Sequence, residues 1–335
     1  MMADDMPSSL PLCWIVTEGL KGLQNQAIGL AEALGFPYLL KEINKPKSFW
    51  RLLPPFYWPS SIALTSHGHR LNPPWPDVLI SCGRSSVATS LAIKKASAGK
   101  TFTVHIQDPQ IDPVNFDIVI APRHDRIEGS NVLVTQGAIH HVTREKLIRA
   151  ADHFRPLLAS LPRPLFAVLI GGNNRHQEFS YSSVRHFADK LSKAAQNAGG
   201  GLAITPSRRT GAAIEQLLRE HLKGVPAYIW DQQTENPYLG LLALADVIVV
   251  TSDSISMISE ACFTGKSVYV YELPGCGRRH KEFLNSLLKK GMIRLFSGKI
   301  EMWEYPPLDE TQRAADFVRE RFARMPYNTQ LSTTR

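Results

Sequence analysis

The chain has 335 residues, 44% of them hydrophobic and 20% charged, a profile that excludes a disordered or fibrous protein and gives room for two domains. Its formal charge of +8 favours polyanionic partners such as phosphates and anionic lipid surfaces, and no specific nucleic-acid partner is expected from it. Cys13, Cys82, Cys262 and Cys276 are far apart, which excludes a zinc-finger spacing and leaves no disulfide framework to read.

The first twelve residues carry Asp4 and Asp5 and lack both a basic start and an apolar run, so they read as neither a signal peptide nor a transit sequence. Leu12–Thr17 then reads as a buried strand, Glu18–Gly22 as a turn, and Gln24–Leu34 as a helix with Ala27, Leu30, Ala31 and Leu34 on one face. The same pattern returns in Val78–Ser81, the tight turn Gly83–Ser86 and the helix Val87–Ala96, followed by strands at Phe102–Ile106 and Ile118–Ala121. A charged helical stretch, Thr143–Leu161, runs into the breaker Leu161-Pro-Arg-Pro164. Beyond it the series restarts with strands at Phe166–Ile170, Gly201–Thr205, Ala227–Trp230, Val247–Val250 and Val268–Tyr271. Helices are expected at Val184–Asn197, Ala212–His221, Met257–Thr264 and Asp309–Ala323. Short apolar runs alternating with helices predict an α/β chain with parallel sheets buried on both faces. Two doubly wound domains are therefore expected, 1–160 and 161–308, with an amphipathic helix and flexible tail at 309–335. Ligands belong at the carboxyl ends of the strands, facing a central cleft. The longest apolar stretch, Leu239–Val250, is short and broken by Asp246, so no membrane span is predicted. A cytoplasmic protein is expected, with any membrane contact peripheral, on the cytoplasmic face of the inner membrane.

Asp246–Leu273 carries the strongest chemical signal. A strand meets small hydroxyl residues and Asp253, a helix opens, and Gly265 ends it. Unpaired N–H groups at a helix start attract a diphosphate, and Ser252, Ser254 and Ser256 would add hydroxyl donors. Glu260 lies four residues after Ser256, on the face opposite Ile255, Ile258 and Cys262, where a carboxylate would accept from ribose hydroxyls. An ordinary capped helix start is the competing account.

This segment resembles the sugar-nucleotide motif of GT-B glycosyltransferases of the MurG type, through Ser259-Glu260 and Gly265. Ser254 stands in place of a glycine, Met257 of a hydroxyl residue and Ser267 of a proline. A longer resemblance is to the ELM1 family, bacterial proteins similar to a plant mitochondrial fission factor. It runs through Gly22–Gln26, Leu169–Gly172, Ser207–Thr210, Glu235–Gly240 and Thr251–Gly265. Both resemblances imply the GT-B fold, two Rossmann-like domains with the acceptor on the first and a nucleotide sugar on the second.

Further donor-side candidates follow. Gly171, Gly172 and Asn173 follow a strand and would let a ligand approach the backbone, Arg208 and Arg209 can grip phosphate, and Asn236 lies where base or ribose would sit. Arg278, Arg279 and Lys281, expected in a loop, would neutralise a leaving diphosphate in place of a metal; no metal site and no cofactor are expected, the nucleotide sugar being substrate. On the acceptor side Gln24, Asn25, Gly83, Arg84 and Ser85 form turn-to-helix sites. Asp108, with His105 three residues away, is the expected catalytic base. The basic and aromatic stretch Lys47–Trp58 would suit contact with an anionic membrane and a lipid-linked or glycolipid acceptor. The function expected is metal-independent glycosyl transfer from a nucleotide-diphosphate sugar, in cell-envelope glycolipid synthesis; a non-catalytic membrane-surface adaptor and a nucleotide-sugar epimerase are the alternatives.

Overall fold

The computed structural model describes residues 10–43, 53, 54, 57–59, 63–66, 69–172, 179–207 and 209–325. Most of the 47–58 stretch, Asn173, Arg208 and the expected tail from 326 onward lie outside them. The described chain divides into two compact units: one runs to His141 and resumes at Glu310, the other spans Val142–Asp309.

The first unit is built on β1 (Cys13–Thr17), β2 (Tyr38–Glu42), the small antiparallel pair β3 (Thr65–Ser66) and β4 (His69–Arg70), then β5 (Val78–Cys82), β6 (Phe102–Ile106), β7 (Ile118–Pro122) and β8 (Val132–Thr135). Its described helices include α1 (Lys21–Leu34) and α2 (Val87–Ala96). Six parallel strands run in the order β2-β1-β5-β6-β7-β8. Every residue of β1, β5 and β6 is buried, as a parallel sheet covered on both faces requires.

In the second unit α3 (Arg144–Leu158) precedes β9 (Leu165–Ile170), α4 (Tyr181–Ala198), β10 (Gly201–Pro206), α5 (Ala212–His221) and β11 (Ala227–Ile229). There follow α6 (Tyr238–Leu244), β12 (Val247–Thr251), α7 (Ile255–Phe263), β13 (Ser267–Tyr271), α8 (Arg278–Lys289) and β14 (Ile293–Leu295). The sheet is again wholly parallel, in the order β11-β10-β9-β12-β13-β14. One face carries Phe166, Val168, Phe179, Phe187 and Leu191, the other Ala167, Leu169, Ile258, Phe283 and Leu287.

Two segments fall differently from the expected division. Helix α3 packs with the second unit, because Val142 and Leu158 enter its core with Leu165 and Leu241. The last helix, α9 (Glu310–Ala323), belongs to the first: Ala314, Ala315 and Val318 pack with Ala27, Leu30 and Ala31 of α1. Glu310 accepts from the Gln136 N–H at 3.0 Å, and Thr311 Oγ1 both accepts from His140 N and donates to His140 O, each at 3.0 Å.

Each sheet reverses its direction of growth once, between β1 and β5 in the first unit and between β9 and β12 in the second. The loops leaving these strand pairs diverge to opposite faces and leave a crevice at their carboxyl ends, where open α/β sheets hold ligands.

Candidate functional site

The crevice of the second unit is formed by the loops after β9, β10 and β12, tied into one polar network. Thr251 Oγ1 accepts from Gly171 N at 2.9 Å and donates to Asp253 Oδ1 at 2.6 Å. Asp253 Oδ2 accepts from Arg209 Nη2 at 2.8 Å. Ser207 Oγ and Thr210 Oγ1 both donate to the Gly171 carbonyl. This packing requires both glycines, for which sequence reading expected a role in ligand approach. A side chain at Gly171 would put its Cβ 1.9 Å from Asp253 Oδ2; at Gly172, where φ is +119°, it would lie 2.4 Å from the Arg209 carbonyl oxygen.

Helix α7 opens beside this network. Ser254 is its N-cap, accepting from Met257 N at 3.3 Å, while the first N–H groups, those of Ile255 and Ser256, have no intrahelical acceptor. Ser256 is half-buried. Ser252 is fully buried and its Oγ accepts from Leu273 N at 2.9 Å, which ties this hydroxyl to the loop after β13. The Asp253 side chain is wholly buried; that of Arg209 is 44% exposed. Apart from Nη2, the Arg209 guanidinium meets no acceptor among the described residues.

Glu260 does not project from an open polar face. It is buried, and Tyr238 of α6 donates its hydroxyl to Glu260 Oε2. Burial pushes the carboxyl up to about 7, with the Tyr238 hydrogen bond opposing, and burial likewise raises the Tyr238 phenol. Asn236 is exposed and closes a turn, its Oδ1 accepting from Tyr238 N at 3.0 Å. Arg278, Arg279 and Lys281 are exposed but stand in the first turn of α8 and not in a loop, after a Gly277 cap that makes no side-chain hydrogen bond.

In the first unit two side-chain hydrogen bonds tie acceptor-side candidates to the strand ends around the reversal point. Gly83 and Ser85 follow β5, and Ser85 Oγ donates across the reversal point to Glu18 Oε2 at 2.8 Å, just after β1. Gln24 is buried and donates Nε2 to Glu42 Oε1 at the end of β2; Asn25 is half-buried and Arg84 exposed. The expected pairing of Asp108 with His105 is not formed. His105 is fully buried on β6, its Nδ1 2.9 Å from Ser81 Oγ and its ring stacked 4.9 Å from Phe116. Asp108 stands outside the core, its Oδ1 accepting from Gln110 N at 2.7 Å in a local turn. Burial pulls the His105 imidazole down to about 3, so it is neutral and enclosed.

Sequence reasoning gave no role to Glu18, Glu42 or Thr251, and it named Asp253 beside the serines without its partner Arg209. The available signal was position alone: each lies at or just beyond the end of a strand. Among the described residues no group of three or more His, Cys, Asp or Glu could hold a metal ion, and no helix is long and apolar enough to cross a membrane.

Residues 21–322 match a family model described as mitochondrial fission ELM1. The mitochondrial fission protein ELM1 of Arabidopsis thaliana is 34% identical over 275 residues, covering 74% of this chain; the chain spans 64% of that relative's length. A UDP-GlcNAc 2-epimerase from Neisseria meningitidis, bound to UDP-GlcNAc, superposes with a TM-score of 0.55 at 15% identity, over 94% of this chain and 99% of its own. A glycotransferase of kitacinnamycin gives a TM-score of 0.52 at 13% identity, over 96% and 93%. The fold is thus of the GT-B class, two consecutive doubly wound units.

Proposed function

The chain belongs to the mitochondrial fission ELM1 family, and on that footing we propose that it is a metal-independent glycosyltransferase whose second unit holds a nucleotide-diphosphate sugar. The observation that carries this reading is the juxtaposition, at the β9/β12 reversal, of the half-exposed Arg209 with the open start of α7. Together they offer a fixed guanidinium edge, N–H groups and the positive end of a helix dipole to a diphosphate.

The start of α8 supports it. Arg278, Arg279 and Lys281 crowd the positive end of a helix dipole, a placement that costs stability in isolation and is offset when an anion binds there. These groups, with Arg209, would take up the charge of the leaving diphosphate as the sugar's anomeric carbon–oxygen bond breaks and the acceptor oxygen bonds to that carbon. Asn173 and Arg208, next in sequence to Gly172 and Arg209, and Asn236 are retained as donor contacts. Acceptor recognition falls to Gln24, Asn25, Arg84 and Ser85 of the first unit, with a carboxylate there receiving the acceptor proton. A glycolipid acceptor at a membrane surface suits the +8 charge.

Glu260 supplies the ribose contact in this reading, shared with Tyr238. Glu260→Gln is expected to weaken nucleoside diphosphate binding by about 1.5 kcal/mol, the low end for a charge-assisted hydrogen bond, because Tyr238 already occupies one oxygen. The carboxyl ionises around pH 7, so the loss should be larger at pH 8 than at pH 6. Calorimetric affinities equal to wild type at both values would remove Glu260 from the site.

Transfer should also survive EDTA, since cationic side chains carry the charge; loss of turnover that magnesium or manganese restores would overturn the metal-independent mechanism. A non-catalytic adaptor is the second reading, favoured by the 34% identity to a fission protein and by the closure of Glu260 onto Tyr238. A thermal-shift series with UDP, GDP, ADP and their sugars separates the two, because a ligand of the native state raises its melting temperature. No shift with any of them would leave the adaptor, and conversion of the sugar to its epimer without an acceptor would leave an epimerase.

A further inference from the structure

We propose that Asp253 is a positioning residue for phosphate recognition: it holds the Arg209 guanidinium by one nitrogen so that the opposite edge is presented to the diphosphate. The inference rests on the nucleotide-binding reading above and assigns a role to a residue that touches no ligand.

The geometry is that of a built support. A carboxylate with no exposed surface is retained in a fold only when paired and hydrogen-bonded, and Asp253 has both: Thr251 Oγ1 at 2.6 Å and Arg209 Nη2 at 2.8 Å. Room for it is made by Gly171, whose missing side chain would overlap its Oδ2. Thr251 is fixed in turn by Gly171 N. Three strand ends, those of β9, β10 and β12, thereby converge on one oxygen pair. The partner is treated asymmetrically. Arg209 keeps 44% of its side chain exposed and, among the described residues, has only Nη2 engaged, leaving the remaining donors of a planar fork for a second anion. Asp253 also immediately precedes Ser254, the cap of α7, so the guanidinium is pinned next to the helix start. A flexible arginine would lose rotamer freedom on gripping phosphate; one held from behind has already lost it.

The test compares uridine, UMP and UDP binding to the full chain, or the corresponding guanosine or adenosine series if GDP or ADP binds wild type more tightly. Asp253→Asn should weaken diphosphate binding at least tenfold while leaving the nucleoside unchanged. Arg209→Ala should do the same, and the double variant should be no worse than Arg209→Ala alone. Circular dichroism and melting temperature monitor folding; if Asp253→Asn does not fold, Thr251→Val removes the supporting hydroxyl with nearly unchanged volume and should give a smaller loss, again confined to phosphate. Equal losses for nucleoside and diphosphate would make Asp253 merely structural and overturn the proposal. Unchanged or tighter diphosphate binding in Asp253→Asn would overturn it too, the tighter case showing that the carboxylate competes with phosphate for Arg209. If wild type binds none of these nucleotides, the nucleotide reading fails and this inference with it; if it binds them and the variants match it, only this inference fails.

Discussion

Glu18→Gln is expected to lower glycosyl transfer by roughly 100-fold to 10,000-fold, the usual contribution of a positioned acid-base group, with donor affinity near wild type. Glu18 follows β1 at the reversal point of the first sheet and is held by Ser85 Oγ from the far side of the crevice. Asp108, the base expected from sequence, follows β6, one strand beyond β5, and its Oδ1 is engaged in a turn with Gln110 N. His105 cannot share the task, being enclosed beside Ser81 and Phe116. Asp108→Asn is the matched control and should stay within a few-fold of wild type. Single-turnover rates with saturating donor decide the matter: a large loss in Asp108→Asn and none in Glu18→Gln would return the role to Asp108.

The centre of each sheet was legible in the sequence because buried parallel strands are nearly continuous apolar runs. Phe102–Ile106, Val87–Ala96 and Ala212–His221 form the elements read from them. Of the edge strands, β11 was read, but β2, β8 and β14 were not. In β2, YLLKE, Leu39 and Leu40 are exposed, and no alternation marks a strand that has lost one neighbour. Helix α8 was hidden by its own charge: RRHK reads as a basic loop until Phe283, Leu284 and Leu287 are seen entering the core.

Contacts between distant strand ends were beyond reach for a topological reason. Gln24 meets Glu42, and Arg209 meets Asp253, only because parallel pairing brings the ends of β1 and β2, and of β10, β9 and β12, side by side. Sequence spacing carries no trace of that. It could place hydroxyl and basic residues at strand ends; whether each faces a ligand or a neighbouring loop depended on the register. Ser252 and Ser254 illustrate the split: two residues apart, one is locked to Leu273 N and the other caps α7.

Acidification is expected to destabilise the first unit through His105. Its ordinary value of 6.5 falls to about 3 in the fold because burial disfavours the charged ring, and the side chain is fully buried. The sign follows from proton linkage. Above pH 6.5 the ring is neutral in both states and the native contact is intact; as pH falls below 6.5 the unfolded chain takes up a proton that the native ring refuses, so stability declines until about pH 3. At about 1.4 kcal/mol per pH unit, the drop from pH 6.5 to pH 4.5 is roughly 2 to 3 kcal/mol. Glu260 acts in the opposite sense in the second unit: its raised value of about 7 against 4.5 gives a contribution present at low pH and lost as pH rises through 7. Total stability therefore mixes the two, and a difference between chains isolates one. His105→Phe keeps a flat ring against Phe116 and removes the titration, so its urea midpoint should fall less than that of wild type between pH 7 and pH 4.5. Parallel midpoint curves for the two chains would show that His105 is already protonated in the native state, or that the region around Ser81 opens before it titrates.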